Sequence, residues 1–133
     1  MSYAVSPALQ KAVYAALTNY AGLSGTEIFD APPQGQVPPL YIALGPEDVS
    51  DRSDASSSGA VHRLIISVVN QSASFHALKS VAAEVSDCLH DAQLTLDRGR
   101  LTSLTFLKAR ARRASANETR RIDLWFRAAV EDI

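Results

Sequence analysis

Apolar and polar residues alternate most clearly in the last third of the chain. Ile122, Leu124, Phe126, Ala128 and Val130 interleave with Asp123, Trp125, Arg127, Ala129 and Glu131. A period of two sends successive side chains to opposite faces of a strand, so one apolar face meets a core and a mixed face stays outside. Residues 101–112 are the predicted partner strand, with Leu104 and Phe106 on alternate positions. The polar stretch 114–118, which holds Asn117, is the predicted turn. Twelve residues at about 3.3 Å each reach roughly 40 Å, whereas a typical strand has about five or six residues. The expectation is a long C-terminal β-hairpin that outruns its core and projects as an arm.

Upstream, Ser6-Pro7 reads as a helix start, with Ser6 as N-cap and Pro7 at the first helical position. Leu9, Val13, Ala16, Leu17 and Tyr20 recur at helical spacing, and Gly22 falls where a left-handed C-terminal cap belongs, so a helix is predicted over 7–21. Residues 27–30 form a predicted short strand. Pro32, Pro33, Pro38 and Pro39, with Gly35 among them, then impose an extended loop. Leu40, Ile42 and Leu44 share a face of the next strand, which Gly45-Pro46 is expected to end. Residues 45–60 carry Ser50, Ser53, Ser56, Ser57, Ser58 and three aspartates, and read as the least structured stretch, a solvated connection or a loop that orders on a partner. The strand predicted over 61–69 is apolar on both faces and therefore central. Ser72 or Ser74 caps a second helix, whose stripe is Leu78, Val81, Ala82, Val85, Cys88 and Leu89. Leu94-Thr95-Leu96 suggests a further short strand, turned into the hairpin by Asp97-Arg98-Gly99.

This order predicts an α+β fold: an antiparallel or mixed sheet of about four strands, with two helices on one face. Residues 1–133 read as one domain, with no internal repeat or linker. The other sheet face, bearing Ile65, Val69 and Trp125, would lack cover and serve as an interface.

Composition adds little to this picture. The hydrophobic fraction of 47% and charged fraction of 20% are globular values. A net charge of −1 gives no global pull toward nucleic acid or anionic lipid. The lone Cys88 excludes an internal disulfide and a cysteine-rich metal site, and its helical position reads as a small buried hydrophobe. No apolar run approaches the ~20 residues of a membrane span. Met1 to Val5 lacks the basic-then-apolar order of a signal peptide, so the expected location is the cytoplasm.

Candidate chemistry is sparse. His62, His76 and His90 are not at ligand spacing with one another or with cysteine. No Gly-x-Ser-x-Gly elbow or Gly-rich phosphate loop occurs. The pairs Glu47/Asp48 and Glu131/Asp132 fall in a predicted flexible loop and at the terminus, poor settings for acid–base work. A nuclease would need carboxylates on rigid strands, and Asp123 is the strand-interior candidate. A small-ligand pocket would need convergent polar groups that the pattern does not mark. Charge, however, is unevenly placed. Asp48, Asp51 and Asp54 gather in the serine-rich stretch, and Arg110, Arg112, Arg113, Arg120 and Arg121 flank the hairpin turn. The arginines could blunt a sheet edge, contact phosphates or bridge to acidic residues of a neighbouring subunit. No aromatic residue interleaves with them as a stacking platform, which counts against phosphates. The third reading is preferred, then the first, with the Asp-rich stretch as acceptor and Trp125 as a further interface residue.

Four stretches together resemble a known family: Ser6-Pro7-Ala8-Leu9-Gln10-Lys11-Ala12; Pro38-Pro39-Leu40-Tyr41-Ile42-Ala43-Leu44-Gly45; the strand from His62 to Val69 feeding a helix near Ser74; and Asp123-Leu124-Trp125-Phe126-Arg127-Ala128-Ala129-Val130-Glu131. Their order and spacing are similar to the tail terminator, or tail completion, proteins of long-tailed phages, prophages and gene transfer agents. The closing Phe-Arg-Ala-x-Val-Glu pattern is the most specific; Pro39-Leu40-Tyr41 departs from the family's usual Pro-Tyr pair. The resemblance implies an α+β fold and a hexameric ring of identical subunits. Such a ring caps the tail tube, ends its growth and presents the surface that joins the head. The implied partners are the chain itself, the major tail tube protein and a head–tail connector or stopper. DNA would pass through the lumen without sequence-specific binding. The implied location is the host cytoplasm during assembly and then the head–tail junction of the particle. No catalytic residue, cofactor or metal comes with the family. The runner-up is another head–tail connector or minor tail protein.

Overall fold

The computed structural model describes residues 2–31, 34–54, 58–71, 75–113 and 119–133. A 3-10 turn, Ser2–Val5, leads into helix α1 (Ser6–Asn19), and a second such turn, Ala21–Leu23, follows it. Strands β1 (Glu27–Phe29), β2 (Leu40–Asp51) and β3 (Gly59–Asn70) come next, then helix α2 (Phe75–Leu89) and strands β4 (Arg100–Arg113) and β5 (Arg120–Glu131). The sheet order is β1-β2-β3-β5-β4, with β1 parallel to β2 and the other pairs antiparallel. The fold is thus α+β as expected, with five strands.

The period-two reading of β5 holds throughout: Ile122, Leu124, Phe126, Ala128 and Val130 are all buried. They join Leu64, Ile66 and Val68 of β3, Ile42 and Leu44 of β2 and Leu104 of β4 in one core. Both helices cover that same face. Leu9, Val13 and Leu17 come from α1, and Leu78, Ala82, Val85 and Leu89 from α2. The spacing of three and four residues puts each set on one side of its helix. Phe126, fully buried, meets Phe106 edge to face with ring centroids 5.8 Å apart.

Several expectations are corrected. Gly45-Pro46 does not end β2. The register passes from Leu44↔Ile66 to Glu47↔Leu64, so an extra residue is accommodated as a bulge, where proline is tolerated. The bulge reverses the phase: Ile42 and Leu44 face the helices before it, Glu47 and Val49 after it. Residues 45–51 and 59–60 are therefore strand rather than the least structured part of the chain, while 55–57 lie outside the described residues. Leu94-Thr95-Leu96 forms no strand. Ser6 is not an N-cap; Val5 holds that position, and the Ser6 hydroxyl donates instead to Glu47 Oε1 at 2.7 Å. Gly22 is not left-handed; among the described glycines, Gly25, Gly35 and Gly99 are. Gly99, at φ 74°, admits the chain to β4 where a Cβ would lie 2.6 Å from the Glu131 carbonyl oxygen. The capping serines Ser72 and Ser74 and the turn containing Asn117 lie outside the described residues.

The hairpin does not outrun its sheet within the described residues. Arg120 pairs with Asn70 on one side and Arg113 on the other, so β5 is flanked along its whole length. β3 is longer than the pattern implied, because the stretch before residue 61 also pairs. Leu107 to Arg113 is exposed because β4 is an edge strand.

Phe126→Ala removes the largest fully buried side chain of the core. It is expected to lower the unfolding free energy by about 3–5 kcal/mol, measured from urea titrations of the purified variant.

Candidate functional site

Cross-strand register decides which charged residues meet. On the face opposite the helices, Ser67 of β3 faces Asp123 of β5, which faces Arg110 of β4. The adjacent row sets Val69, Arg121 and Arg112 side by side, and on the other flank Ile65, Trp125 and Lys108. Beyond that, Asp48, Arg63, Arg127 and Thr105 form a further row.

Asp123 is the anchor of this face. The Arg121 Nε donates to its Oδ1 at 2.8 Å, and the Arg112 guanidinium lies 3.5 Å from Oδ2. The Ser67 hydroxyl donates to Oδ1 at 2.7 Å and accepts from Arg121 Nη2 at 3.0 Å. Burial works against the charged carboxyl, but the hydrogen bonds from Arg121 and Ser67 and the nearby guanidinium charges outweigh it, so its pKa is lowered. Asp123, weighed from sequence as a metal-binding carboxylate, is committed to two arginines.

The arginines contiguous in sequence are divided by the fold. Arg110, Arg112 and Arg121 lie on the open face. Arg113 and Arg120 pair with each other on the helix side, in the same alternation as Ala111 and Ile122. Arg110 and Arg113 are exposed. Arg120 is only 9% exposed, with its guanidinium 5.3 Å from the Phe75 ring centroid. Trp125 is half-buried, and the Lys108 Nζ sits 4.6 Å from its ring centroid, so one ring face is occupied by a cation.

The open face is not the exposed apolar patch expected from Ile65, Val69 and Trp125. Val69 is buried between Tyr41 and Arg121, and Ile65 and Trp125 are half-buried. The surface is charged: Arg63, Lys108, Arg110, Arg112, Arg121 and Arg127 stand against Asp48 and Asp123. A cleft of about 400 Å³ on this face is lined by Pro46, Asp48, Arg63, Leu107, Lys108 and Trp125.

The predicted acidic group is likewise divided. Asp48 is on β2, opposite Arg63. Asp51 ends β2 and accepts from the Ser53 hydroxyl at 2.7 Å. Asp54 follows the strand and is exposed.

A constellation that sequence reasoning missed ties α1 to the sheet. Glu47 accepts from Ser6 through one carboxylate oxygen and meets Nδ1 of fully buried His62 through the other, at 3.1 Å. Burial raises the Glu47 pKa, but the His62 and Ser6 hydrogen bonds overcome this and lower it. The carboxylate sits between hydroxyl and imidazole. That is the wrong order for a serine nucleophile, whose base must touch the hydroxyl. The bulge at Gly45-Pro46 turns Glu47 inward, and a sequence reading that ends β2 there cannot find it. Among the described residues no group of three or more His, Cys, Asp or Glu could hold a metal ion. No helix there is long and apolar enough to cross a membrane.

Asp123→Asn is expected to reduce stability at neutral pH and to weaken its decline in acid. A carboxyl with a lowered folded pKa contributes fully above its unfolded value of about 3.9, and the contribution is lost as pH falls through the lower folded value. Glu47 keeps its own similar contribution, so the acid decline is reduced rather than abolished. Urea midpoints measured from neutral pH into the acid range for both chains check this.

The geometry can be set beside known proteins. The family model described as tail completion protein gp17 matches residues 11–131. No curated protein matches the chain. A chain in the solved structure described as the virion of a native gene transfer agent (GTA) particle is 52% identical; the match covers 98% of this chain and 99% of that one, with a TM-score of 0.89. With nearly all of its residues matched, this chain belongs to the tail completion protein gp17 family.

Proposed function

We propose that this protein is a structural part of a phage-like or gene-transfer-agent particle, in which it closes the end of the tail tube. The observation that carries this reading is the near full-length similarity to a chain of a gene transfer agent virion. Residues 1–133 act as one unit, and identical copies form a hexameric ring that stops tube growth and offers the joining surface to the head. Its partners are other copies of itself, the major tail tube protein and a head–tail connector or stopper. DNA passes through the lumen without being read. The chain is made and assembled in the host cytoplasm and then resides at the head–tail junction.

The site geometry supports work by surfaces rather than by turnover. Asp123 is engaged by two arginines, and Glu47 by Ser6 and His62. The charged sheet face and the exposed edge strand β4 offer different patches on one subunit, as a cyclic, head-to-tail interface requires. A net charge of −1 suits a channel that lets DNA pass without gripping it.

Particles made without this protein should carry tails of irregular length that fail to join heads, and supplying the intact chain should restore both features, as seen by electron microscopy. Normal tail length and head attachment in its absence would contradict the proposal. So would metal-dependent nuclease activity of the purified protein that Asp123→Ala abolishes.

A further inference from the structure

Strand β4 is an outer strand of the sheet, and its two halves differ. Alternate residues of such a strand turn both backbone N–H and C=O away from the sheet. Leu104 and Phe106 are two of these, and the turn after α2 satisfies them. The Asp91 N–H donates to the Leu104 carbonyl oxygen at 2.7 Å, and the Phe106 N–H donates to His90 Nδ1 at 3.1 Å. The register shift at Leu107 moves the alternation on by one, so Ala109 and Ala111 come next. Every residue from Leu107 to Arg113 is exposed. The second half of β4 is therefore an edge open to a further strand.

The two faces beside this open half have different chemistry. On the helix side, a groove of about 330 Å³ between α2 and β4 is lined by Ala82, Ala83, Phe106, Ala109, Ala111 and Leu124, with Lys79 and Ser86 as polar members. Its alanines leave room for larger apolar side chains. On the open face stand Lys108, Arg110 and Arg112, all exposed. Charges on an edge ordinarily discourage added strands. These three share one sign, so they repel a basic strand and attract an acidic one.

We propose that β4 from Leu107 to Arg113 receives an extended segment of a different protein, in which large apolar residues alternate with acidic ones. The segment adds a strand to the sheet. Its backbone bonds to Ala109 and Ala111, its apolar side chains enter the groove, and its carboxylates lie beside Lys108 and Arg110. A second copy of this chain fits less well. Two β4 edges would set basic residues against basic residues. The sheet's other outer strand, β1, has three residues, and the stretch of β2 beyond it sets Asp48 opposite Arg63. This contact is separate from ring closure, so either can fail alone.

Fluorescence anisotropy on the purified full chain tests this with a labelled peptide of about ten residues that alternates aspartate and leucine. The peptide should bind saturably and slow amide hydrogen exchange at Ala109 and Ala111. Methylating its backbone nitrogens along one edge keeps the side chains but removes the donors, and should weaken binding by roughly tenfold or more. Replacing aspartate by lysine should do the same, as should Ala109→Trp, which fills the groove. Circular dichroism verifies that Ala109→Trp folds, and the altered peptides need no change in the protein. No binding of the aspartate peptide overturns the inference. So does equal binding of the lysine or methylated peptide, or unimpaired binding by folded Ala109→Trp. If a short DNA duplex binds in place of the peptide and Lys108→Glu abolishes this, the edge takes phosphate and the inference fails. If the chain alone self-associates and Ala109→Trp abolishes that, the occupant is a second copy and the inference fails equally.

Discussion

The pairing of β3 with β5, unbroken from Gly59↔Glu131 to Asn70↔Arg120, is the constraint on which the rest of the structure depends. A slip of one residue would turn every side chain of the shifted strand to the opposite face. Ile122, Leu124 and Phe126 would leave the core they share with Leu64, Ile66 and Val68. The same slip would separate Asp123 from Ser67 and carry Arg121 off the open face. Core packing and surface electrostatics are therefore set by one register. Burial on the helix side holds the alignment, and the alignment brings the open-face charges into contact.

The flanking strands adapt to this rigid pair through bulges. The extra residue in β2 at Gly45-Pro46 reverses its alternation, so that Glu47 turns inward to Ser6 and His62. Gly45 packs closely there, since a Cβ would lie 2.9 Å from the Ile65 carbonyl oxygen. β4 shifts register twice, between Leu101 and Ser103 and between Phe106 and Lys108. These shifts keep Leu104 and Phe106 on the core side and bring Lys108 over Trp125.

How much of this was legible in the residues follows from which periods stay intact. β5 and the stripe of α2 keep one phase from end to end, and both were readable directly. Leu78, Ala82, Val85 and Leu89 are buried as the helical spacing requires. β2 was cut short because a bulge looks like a strand end when glycine and proline stand side by side. That error shortened β3 as well; the expected arm came instead from strand length alone, and it fails because β3 runs as far as Asn70, beside Arg120. The arginine cluster was visible as composition, but its division was not. Neighbours in a strand point to opposite faces, and what each meets depends on register, which no local pattern encodes. Asp123 is the clearest case: its partners Ser67 and Arg112 lie on two other strands, at distances in sequence that no local motif spans.

Asp123, fixed by the β3–β5 register, neutralises the facing Arg112 and Arg121 from within the chain. The most direct measurement is a cryo-electron microscopy map of the assembled particle, sharp enough to place side chains at the junctions between copies of this protein. The expected result is Arg112 and Arg121 still on Asp123 of their own chain, with Ser67 beside it. An Asp123 released from Arg112 and Arg121 to contact another molecule would contradict it.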